Sequence, residues 1–375
     1  MNSGTGYAEC NKVQHFLQPL GQVAMANVRS KKTSIYTLSE ELGLSPATVS
    51  RALNNHPAVS ATVRAKVQQV ADRYKYKPRF VSNKVTNICV LIQQYDEHPL
   101  DFGAFLSQTL EGIAQYCRHE DVEMSLYSSG IHELNECDLV RELRRRNADG
   151  AVVLRASNQS EYLVQFDGQR FPYFCLFNND DRPSERVLLI DDEQLAYRAV
   201  EHLIGLGHRR IGIMVSTADR HTGRSRWEGY RRALREHGIE EDDRLAATAD
   251  ATRHRGDLVF GASAIEELLA RFPDMTAAFA TSEYIARGAL AWLYDHGVAV
   301  PDRISLVGFD DFPETAYTCP PLTTVRIPYL EFGYEAARQV HRLCRGLEVL
   351  LTDETRDKLR CDLVTRKSTG GVGNC

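Results

Sequence analysis

The segment SPATVSRAL, at residues 45–53, carries side chains whose types and spacing could read DNA. In a helix, its apolar side chains would share one face. The opposite face would carry Ala47, Ser50, Arg51 and Asn54. That outer face holds no acidic or bulky group, so it could enter a major groove closely. There, Ala47 could contact a thymine methyl group, and Arg51 could donate to guanine O6 and N7 or to a phosphate.

Other polar groups and the local charge suit the DNA backbone. Hydrogen bonds to phosphates or base edges are within reach of side chains the size of Ser45, Thr48, Ser50 and Asn54. Residues 29–84 contain eleven Lys or Arg and three Asp or Glu, a charge of +8, so the rest of the chain carries −13 within a total of −5. A basic segment on an acidic body indicates one part that meets a polyanion. The alternative is a solvated charged surface.

Three short helices would position these side chains. Ser34 and Gly43 mark the start and end of a first helix, Ser45 caps a second that begins at Pro46, and Ser60 caps a third. The third has a predicted apolar stripe of Val63, Val67, Val70, Ala71 and Tyr74. Three helices around a small core, with the second basic on its outside, are typical of a helix-turn-helix DNA-binding unit.

The composition is that of a globular protein with two or three domains. The chain has 375 residues, of which 43% are hydrophobic and 25% charged. It contains no apolar run long enough for a membrane span and no secretory signal pattern, so no membrane partner is expected. The nine cysteines are scattered without a C-x-x-C pair or a Cys/His cluster. This pattern predicts reduced cytoplasmic thiols, no metal site and no cofactor.

From Ile88 onward, short apolar runs alternate with helical patterns. Runs such as ICVLI and ISLVGFD predict buried strands, and stretches such as AYRAVEHLIGLG predict helices. This alternation predicts doubly wound parallel sheets of the α/β class. Residues 88–367 are too many for one such sheet, so we expect two lobes. Ligands of such sheets bind beyond the carboxyl ends of the strands, here in the cleft between the lobes.

The basic segment resembles the headpiece of the LacI/GalR family of bacterial transcription regulators. TSIYTLSEELGLSPATVSRALNNHPAVSATVRAKVQQVADRYKYKP matches the family's first helix, its S-x-x-T-V-S-R-x-L-N pattern and its closing Y-x-P. The resemblance implies base reading by Pro46, Ala47 and Arg51, and backbone contacts by Ser45, Thr48, Ser50 and Asn54. It also places Val85 where the family has a leucine that wedges into the minor groove from a hinge helix. The alternative is that Val85 opens the next strand.

The body resembles the same family in DDEQLAYRAVEHLIGLGHRRIGIM, RSRWEGYRRAL, VPDRISLVGFDD and PPLTTVRIP. The resemblance implies a fold like that of periplasmic sugar-binding proteins, with three crossings between the lobes. It implies effector contacts at Phe105, Phe177, Arg226, Ser282 and Asp310. This chain departs from the family pattern at Phe177, Ser282 and Ile327, where the family commonly has other residues. The phenylalanine and the isoleucine would make the pocket more apolar than is usual in the family. Arg226 could instead be a surface charge, Asp310 a helix cap, and Phe177 and Ile327 core residues.

The resemblance also sets the domain boundaries. The expected segments are an N-terminal extension at 1–32 with translation starting at Met25, a headpiece at 33–78, a hinge at 79–87, a body at 88–367 and a flexible tail at 368–375. Within the body, lobe 1 is expected at about 88–190 and 317–347, and lobe 2 at about 191–316 and 348–367.

The expected function is a cytoplasmic, sequence-specific transcription regulator. It would bind double-stranded operator DNA as a homodimeric repressor, and a small effector, a sugar or sugar derivative, would control its affinity. One alternative is the solute-binding receptor of a transport system, which the basic headpiece disfavours. Another is a carbohydrate-processing enzyme that uses Asp310, Asp311 or Glu283. Such enzymes need carboxylates on both sides of one bond, which adjacent residues provide poorly.

Overall fold

The computed structural model describes residues 34–53, 59–74, 76, 85–94, 103–157, 159–177, 185–215, 221–249 and 257–372. The chain divides into two compact units between Lys84 and Val85. The first contains the predicted headpiece, and the second contains both predicted lobes. The expected N-terminal extension, Asn54 and hinge residues 79–84 lie outside the described residues.

Three helices build the first unit. They are α1 (Ile35–Leu42), α2 (Pro46–Leu53) and α3 (Ala61–Arg73). Ser34 forms a capping box at the start of α1, and Gly43 ends that helix with a left-handed φ of 62°. Leu38, Val49 and Val67 are fully buried between the helices. These helices confirm the predicted headpiece architecture.

One residue of the predicted apolar stripe lies outside that core. Tyr74 is 40% exposed, because α3 ends at Arg73 and Tyr74 follows its last turn. Its ring lies beside the Arg73 guanidinium at 5.6 Å. Tyr76 packs against the core instead.

Two sheets form the second unit. Lobe 1 has the order β2-β1-β3-β4-β5 and lobe 2 the order β11-β10-β9-β8-β6-β7. The strands are β1 (Asn87–Gln94), β2 (Glu123–Gly130), β3 (Gly150–Leu154), β4 (Tyr173–Leu176), β5 (Val187–Leu188), β6 (Ile211–Val215), β7 (Ala246–Thr248), β8 (Ala277–Ala280), β9 (Ser305–Asp310), β10 (Thr323–Arg326) and β11 (Asp362–Val364). All described pairings are parallel except that of β10 with β11. The predicted doubly wound sheets are therefore confirmed.

Helices cover both faces of each sheet, which explains why central strands such as β1 are almost continuously apolar and buried. Lobe 1 carries α4 (Ala104–His119), α5 (Ile131–Glu136), α6 (Leu139–Arg145), α7 (Tyr162–Gly168) and α12 (Tyr329–Cys344). Lobe 2 carries α8 (Asp192–Gly205), α9 (His221–Glu236), α10 (Asp257–Arg271) and α11 (Glu283–Asp295). The short helix α13 (Asp353–Lys358) follows α12.

The chain crosses between the lobes three times, but two crossings lie later than predicted. Strand β10 extends the lobe 2 sheet beside β9, so the second crossing follows Arg326 instead of preceding residue 317. The segment after α12 stays with lobe 1, because the Gln339 side chain bonds both the N–H and the carbonyl of Leu350. Arg338 also donates to Thr355 Oγ1 at 2.9 Å. The third crossing therefore follows α13, instead of residue 347.

The predicted flexible tail is packed into lobe 2 as far as Val372. Ser368 is fully buried, and its hydroxyl donates to the Leu306 carbonyl at 2.6 Å and accepts from the Thr323 N–H at 2.8 Å. The Val372 N–H donates to the Leu206 carbonyl at 3.0 Å. These bonds satisfy buried backbone groups, so the tail is a structural part of the lobe.

Candidate functional site

The predicted DNA-contacting side chains lie at the start and on the outer face of α2. Ser45 Oγ accepts from the Thr48 N–H at 3.1 Å and lies 2.8 Å from Thr48 Oγ1, which confirms Ser45 as the helix cap. Val49 and Ala52 are buried, which turns the opposite face of α2 outward. On that side, Ser45, Pro46, Ala47 and Arg51 are exposed, and Thr48 and Ser50 are half-buried.

The two remaining predicted DNA contacts are Asn54 and Val85. Asn54 falls outside the described residues, so its backbone contact stays a prediction. Val85 is half-buried and lies two residues before the first residue of β1, Asn87. This placement favours the alternative in which Val85 leads into the strand, and its minor-groove role stays a prediction.

The predicted effector residues follow strands whose carboxyl ends lie where the two lobes contact each other. Asp310 ends β9, Ser282 directly follows the loop after β8, and Arg226 lies on α9, which follows β6. From lobe 1, Phe105 lies in the first turn of α4 and Phe177 directly follows β4. Since the carboxyl ends of parallel strands meet at one edge of a sheet, the topology explains how residues distant in sequence converge here.

Arg226 is the centre of a buried ion-pair cluster. Its Nε donates to Asp192 Oδ1 at 2.8 Å, and its Nη1 lies 3.8 Å from Asp310 Oδ1. The guanidinium also lies 3.7 Å from the centroid of the Phe309 ring. The three charged side chains are only 11%, 9% and 9% exposed. Burial opposes the arginine charge, but the two carboxylates raise the pKa of Arg226 above its ordinary value.

Asp310 joins the two lobes. Its Oδ1 accepts from the Tyr329 hydroxyl of lobe 1 at 2.8 Å, and its Oδ2 accepts from the Glu283 N–H at 3.4 Å. Burial raises the pKa of Asp310, and Arg226 opposes that shift. Its φ of 105° places a non-glycine residue in a rarely occupied backbone region, as is common where geometry serves a site.

Glu283 is a second acidic group at this edge and is fully buried. Its Oε2 accepts from the Phe312 N–H at 2.7 Å, and its Oε1 makes no hydrogen bond within the described part of the chain. Burial raises the pKa of Glu283 to about 7. The neighbouring Ser282 caps α11 by accepting from the Ile285 N–H and donates to Asp257, so its hydroxyl is engaged within lobe 2.

Aromatic rings pack around Tyr329 where the two lobes meet. Phe105, Phe177 and Phe312 surround Tyr329, with ring centroids 5.9, 5.4 and 6.1 Å from it. The Tyr284 hydroxyl of lobe 2 accepts from the Ala104 N–H of lobe 1 at 3.1 Å. Phe105 and Phe177 therefore both contact Tyr329, and their contact with an effector stays a prediction.

Several site residues were not indicated by the sequence. Asp192 and Tyr329 bond to predicted residues that lie 34 and 19 positions away. A signal for Tyr329 was available, because it follows the apolar run LTTV at a strand end. Ile327 is 2% exposed and is a core residue, in agreement with the alternative interpretation of that position. No group of three or more potential metal ligands lies within the described ranges.

A helix-turn-helix unit and a two-lobed α/β unit define the class of DNA-binding regulators that carry their own ligand-binding domain. Residues 37–79 match the model described as bacterial regulatory proteins, lacI family, and residues 200–369 match the periplasmic binding protein-like domain.

Individual relatives agree with this class. The chain is 32% identical over 301 residues to the HTH-type transcriptional regulator GalR of Escherichia coli (strain K12), covering 79% of this chain and 84% of that protein. It is 27% identical over 322 residues to DegA of Bacillus subtilis (strain 168), covering 84% and 92%. The solved transcriptional regulator CelR–cellobiose complex shares 25% identity with a TM-score of 0.61, covering 90% of this chain and 99% of that chain.

The chain belongs to the LacI family and is a DNA-binding transcriptional regulator. These relatives are regulators instead of enzymes, and the headpiece match disfavours the solute-receptor alternative. Among the described residues, no helix has the length and apolar character needed to span a bilayer.

Proposed function

We propose that this regulator represses transcription from operator DNA as a cytoplasmic homodimer, and that a sugar or sugar derivative in the crevice controls its affinity. The main observation in support of this proposal is the position of Asp310. This strand-end carboxylate of lobe 2 accepts a hydrogen bond from Tyr329 of lobe 1 and lies beside Arg226. A ligand that engages Asp310 therefore changes a contact between the lobes.

The chemistry of the crevice supports a carbohydrate. Carboxylates and a guanidinium can each bond sugar hydroxyls, and aromatic rings such as Phe105 offer flat apolar surfaces to sugar rings. CelR, a transcriptional regulator of similar structure, is in complex with cellobiose. A screen of sugars against the operator complex identifies the particular effector.

Coupling between crevice and DNA follows from two states of the lobes. In a dimer, two copies of α2 would read two half-sites of a near-palindrome. An effector that binds one arrangement of the lobes more tightly shifts the protein toward it, and typical coupling free energies are about 1–3 kcal/mol. A change in lobe arrangement would alter the spacing of the headpieces and so the operator affinity.

Selection of bound DNA from a random pool tests the proposal directly. The full chain, without ligand and at near-physiological salt, is expected to enrich a palindromic site. The selected site is then used to screen neutral mono- and disaccharides for a change in affinity. A pool that stays unenriched both without ligand and with every sugar would contradict the proposal.

The role of Arg51 can be separated from general charge. Arg51→Ala is expected to weaken binding to the selected site by about 1–3 kcal/mol and to relax the preference at one base pair, if Arg51 reads a guanine. Lys66→Ala, an exposed cation on α3, is the matched control and should leave base preference unchanged. An equal loss on all sequences for Arg51→Ala would make Arg51 a phosphate contact instead.

A further inference from the structure

Two of the N–H donors of Arg226 are already bonded within the protein. A guanidinium carries five N–H donors in a planar fork, which suits it to bidentate binding of phosphate and carboxylate. Here Nε donates to Asp192 Oδ1 at 2.8 Å, and Nη1 donates to the Thr281 carbonyl at 2.5 Å. No hydrogen bond from Nη2 is present within the described part of the chain. The side-on edge, which includes Nε, is thus occupied, and the donors left for a ligand belong to the two Nη groups.

The charge of Arg226 is also balanced by its surroundings. Asp192 and Asp310 lie 2.8 and 3.8 Å from it, and all three side chains are largely buried. One cation and two carboxylates leave this cluster without net positive charge. Glu283, whose backbone N–H donates to Asp310, adds a further fully buried acid nearby. Because screening by water is weak at buried sites, a further anion placed against this cluster would be repelled.

The fold holds Asp192 in place without a ligand. Asp192 is the first residue of α8, directly after the first crossing between the lobes. The preceding Asp191 caps this helix by accepting from the Gln194 N–H at 2.9 Å. A helix N-terminus favours negative charge, as does the adjacent guanidinium. The pairing of Asp192 with Arg226 is therefore part of the built site.

We infer that Asp192 is a positioning residue that makes the crevice select uncharged effectors and reject those that present a phosphate or carboxylate group to Arg226. This selectivity rests on the proposed function, in which the effector meets Arg226. Asp192 acts by occupying Nε and by balancing the charge of the guanidinium. A hydroxyl group needs only one hydrogen bond from Nη2, so a neutral sugar can still bind.

Inorganic phosphate is a direct probe of this selectivity. Titration calorimetry on the full chain compares wild type, Asp192→Asn and the double variant Asp192→Asn with Arg226→Gln. Asparagine keeps the size of the side chain and an oxygen for Nε but removes the charge. Asp192→Asn is expected to bind phosphate roughly tenfold or more tightly than wild type, since one opposite charge within a few ångströms has effects of this size. The double variant should lose the gain.

A matched control separates this effect from net charge. Asp362→Asn removes a half-exposed carboxylate of lobe 2 that pairs with Arg198 and Arg360. It is expected to leave phosphate binding at the wild-type level. A purely structural role for Asp192 would lower stability in the variant but would not create an affinity for phosphate that depends on Arg226.

Two results would overturn the inference. One is a folded Asp192→Asn protein that binds phosphate no more tightly than wild type. The other is wild-type phosphate binding that Arg226→Gln abolishes, and this comparison decides the matter even if Asp192→Asn does not fold. Failure of every sugar in the operator screen would contradict the proposed function alone, because phosphate binding is measured on the protein without DNA.

Discussion

At the scale of single residues, the burial of Glu283 makes the stability of the folded protein depend on pH. This residue begins α11, where the helix N-terminus favours a carboxylate, yet burial raises its pKa to about 7. In the unfolded chain a glutamate has a pKa of about 4.3. Between these values the folded protein binds the proton more tightly than the unfolded chain does. The free energy of unfolding therefore falls as the pH rises from about 4 to about 7.

Replacing Glu283 by glutamine removes this titration. Glu283→Gln is expected to be more stable relative to wild type at pH 8 than at pH 5, by about 1–3 kcal/mol, because wild type alone must bury a carboxylate at high pH. Urea unfolding of both proteins at the two pH values measures the difference. Glu314→Gln, at an exposed position of lobe 2, is the control and should follow wild type. Parallel pH dependence of wild type and Glu283→Gln would contradict the buried titration.

The sequence could indicate single site residues but not their partners. Arg226 and Asp310 stand in recognisable segments, and the structure brings them within 3.8 Å of each other. Asp192 and Tyr329 enter the same cluster only because the two lobes fold and meet. A contact between distant positions depends on how whole helices and strands pack together. Local sequence patterns do not predict that packing. Effector contact by the predicted residues stays a prediction.

At the scale of elements, close helix pairs depend on glycine. Helices α4 and α12 approach so closely that a Cβ on Gly333 would collide with the Thr109 carbonyl. Gly333→Ala is expected to destabilise the protein by about 1–3 kcal/mol or more, because helix backbones cannot yield locally. Gly205→Ala is the control, since that position at the end of α8 has open space around it. Urea unfolding that shows equal stability for the two variants would contradict the close packing.

Strands with a continuous apolar run could be predicted from the sequence, whereas strands at the edges of the sheets could not. Strands β1 and β9 are buried almost throughout and contain the apolar runs ICVLI and LVGF, so their sequences alone identify them. Strand β2 lies at a sheet edge with Met124 and Leu126 exposed, and its mixed sequence gives a weaker signal. The lobe boundary was placed wrongly because β10 is only four residues long. The sequence of so short a strand does not indicate which of the two sheets it joins.

The tail shows the same limit of local pattern, because small polar residues there suggested flexibility. The Gly370 carbonyl lies 3.0 Å from His208 Nε2, and the Gly370 N–H donates to Ser305 Oγ at 3.0 Å. Truncation after Lys367 is expected to lower stability by at least about 2 kcal/mol, since buried polar groups lose their partners. Truncation after Val372 is the control and should preserve stability. Thermal unfolding compares the two, and equal melting temperatures would show that the tail contributes nothing.

At the scale of the whole molecule, charge separates the two activities. Residues 29–84 carry +8 and the remainder carries −13. The basic part is attracted to DNA, and the acidic part is repelled by it, so the DNA is directed to the headpiece. The proposed effector site between the lobes has no net positive charge, since Arg226 lies beside Asp192 and Asp310. The two binding events should therefore respond differently to salt.

Salt dependence tests this division in one protein. Raising salt from 50 to 200 mM is expected to weaken operator binding by about 10³–10⁵ if six to ten phosphates are contacted, because counterions are released from DNA. Binding of a neutral effector from the sugar screen releases no such counterions, so its affinity should change little. Fluorescence anisotropy with labelled operator and calorimetry with the sugar measure the two affinities in the same buffers. An operator affinity that changes less than about tenfold would mean that phosphate contacts are few. The positive charge of residues 29–84 would then not serve mainly to bind the DNA backbone.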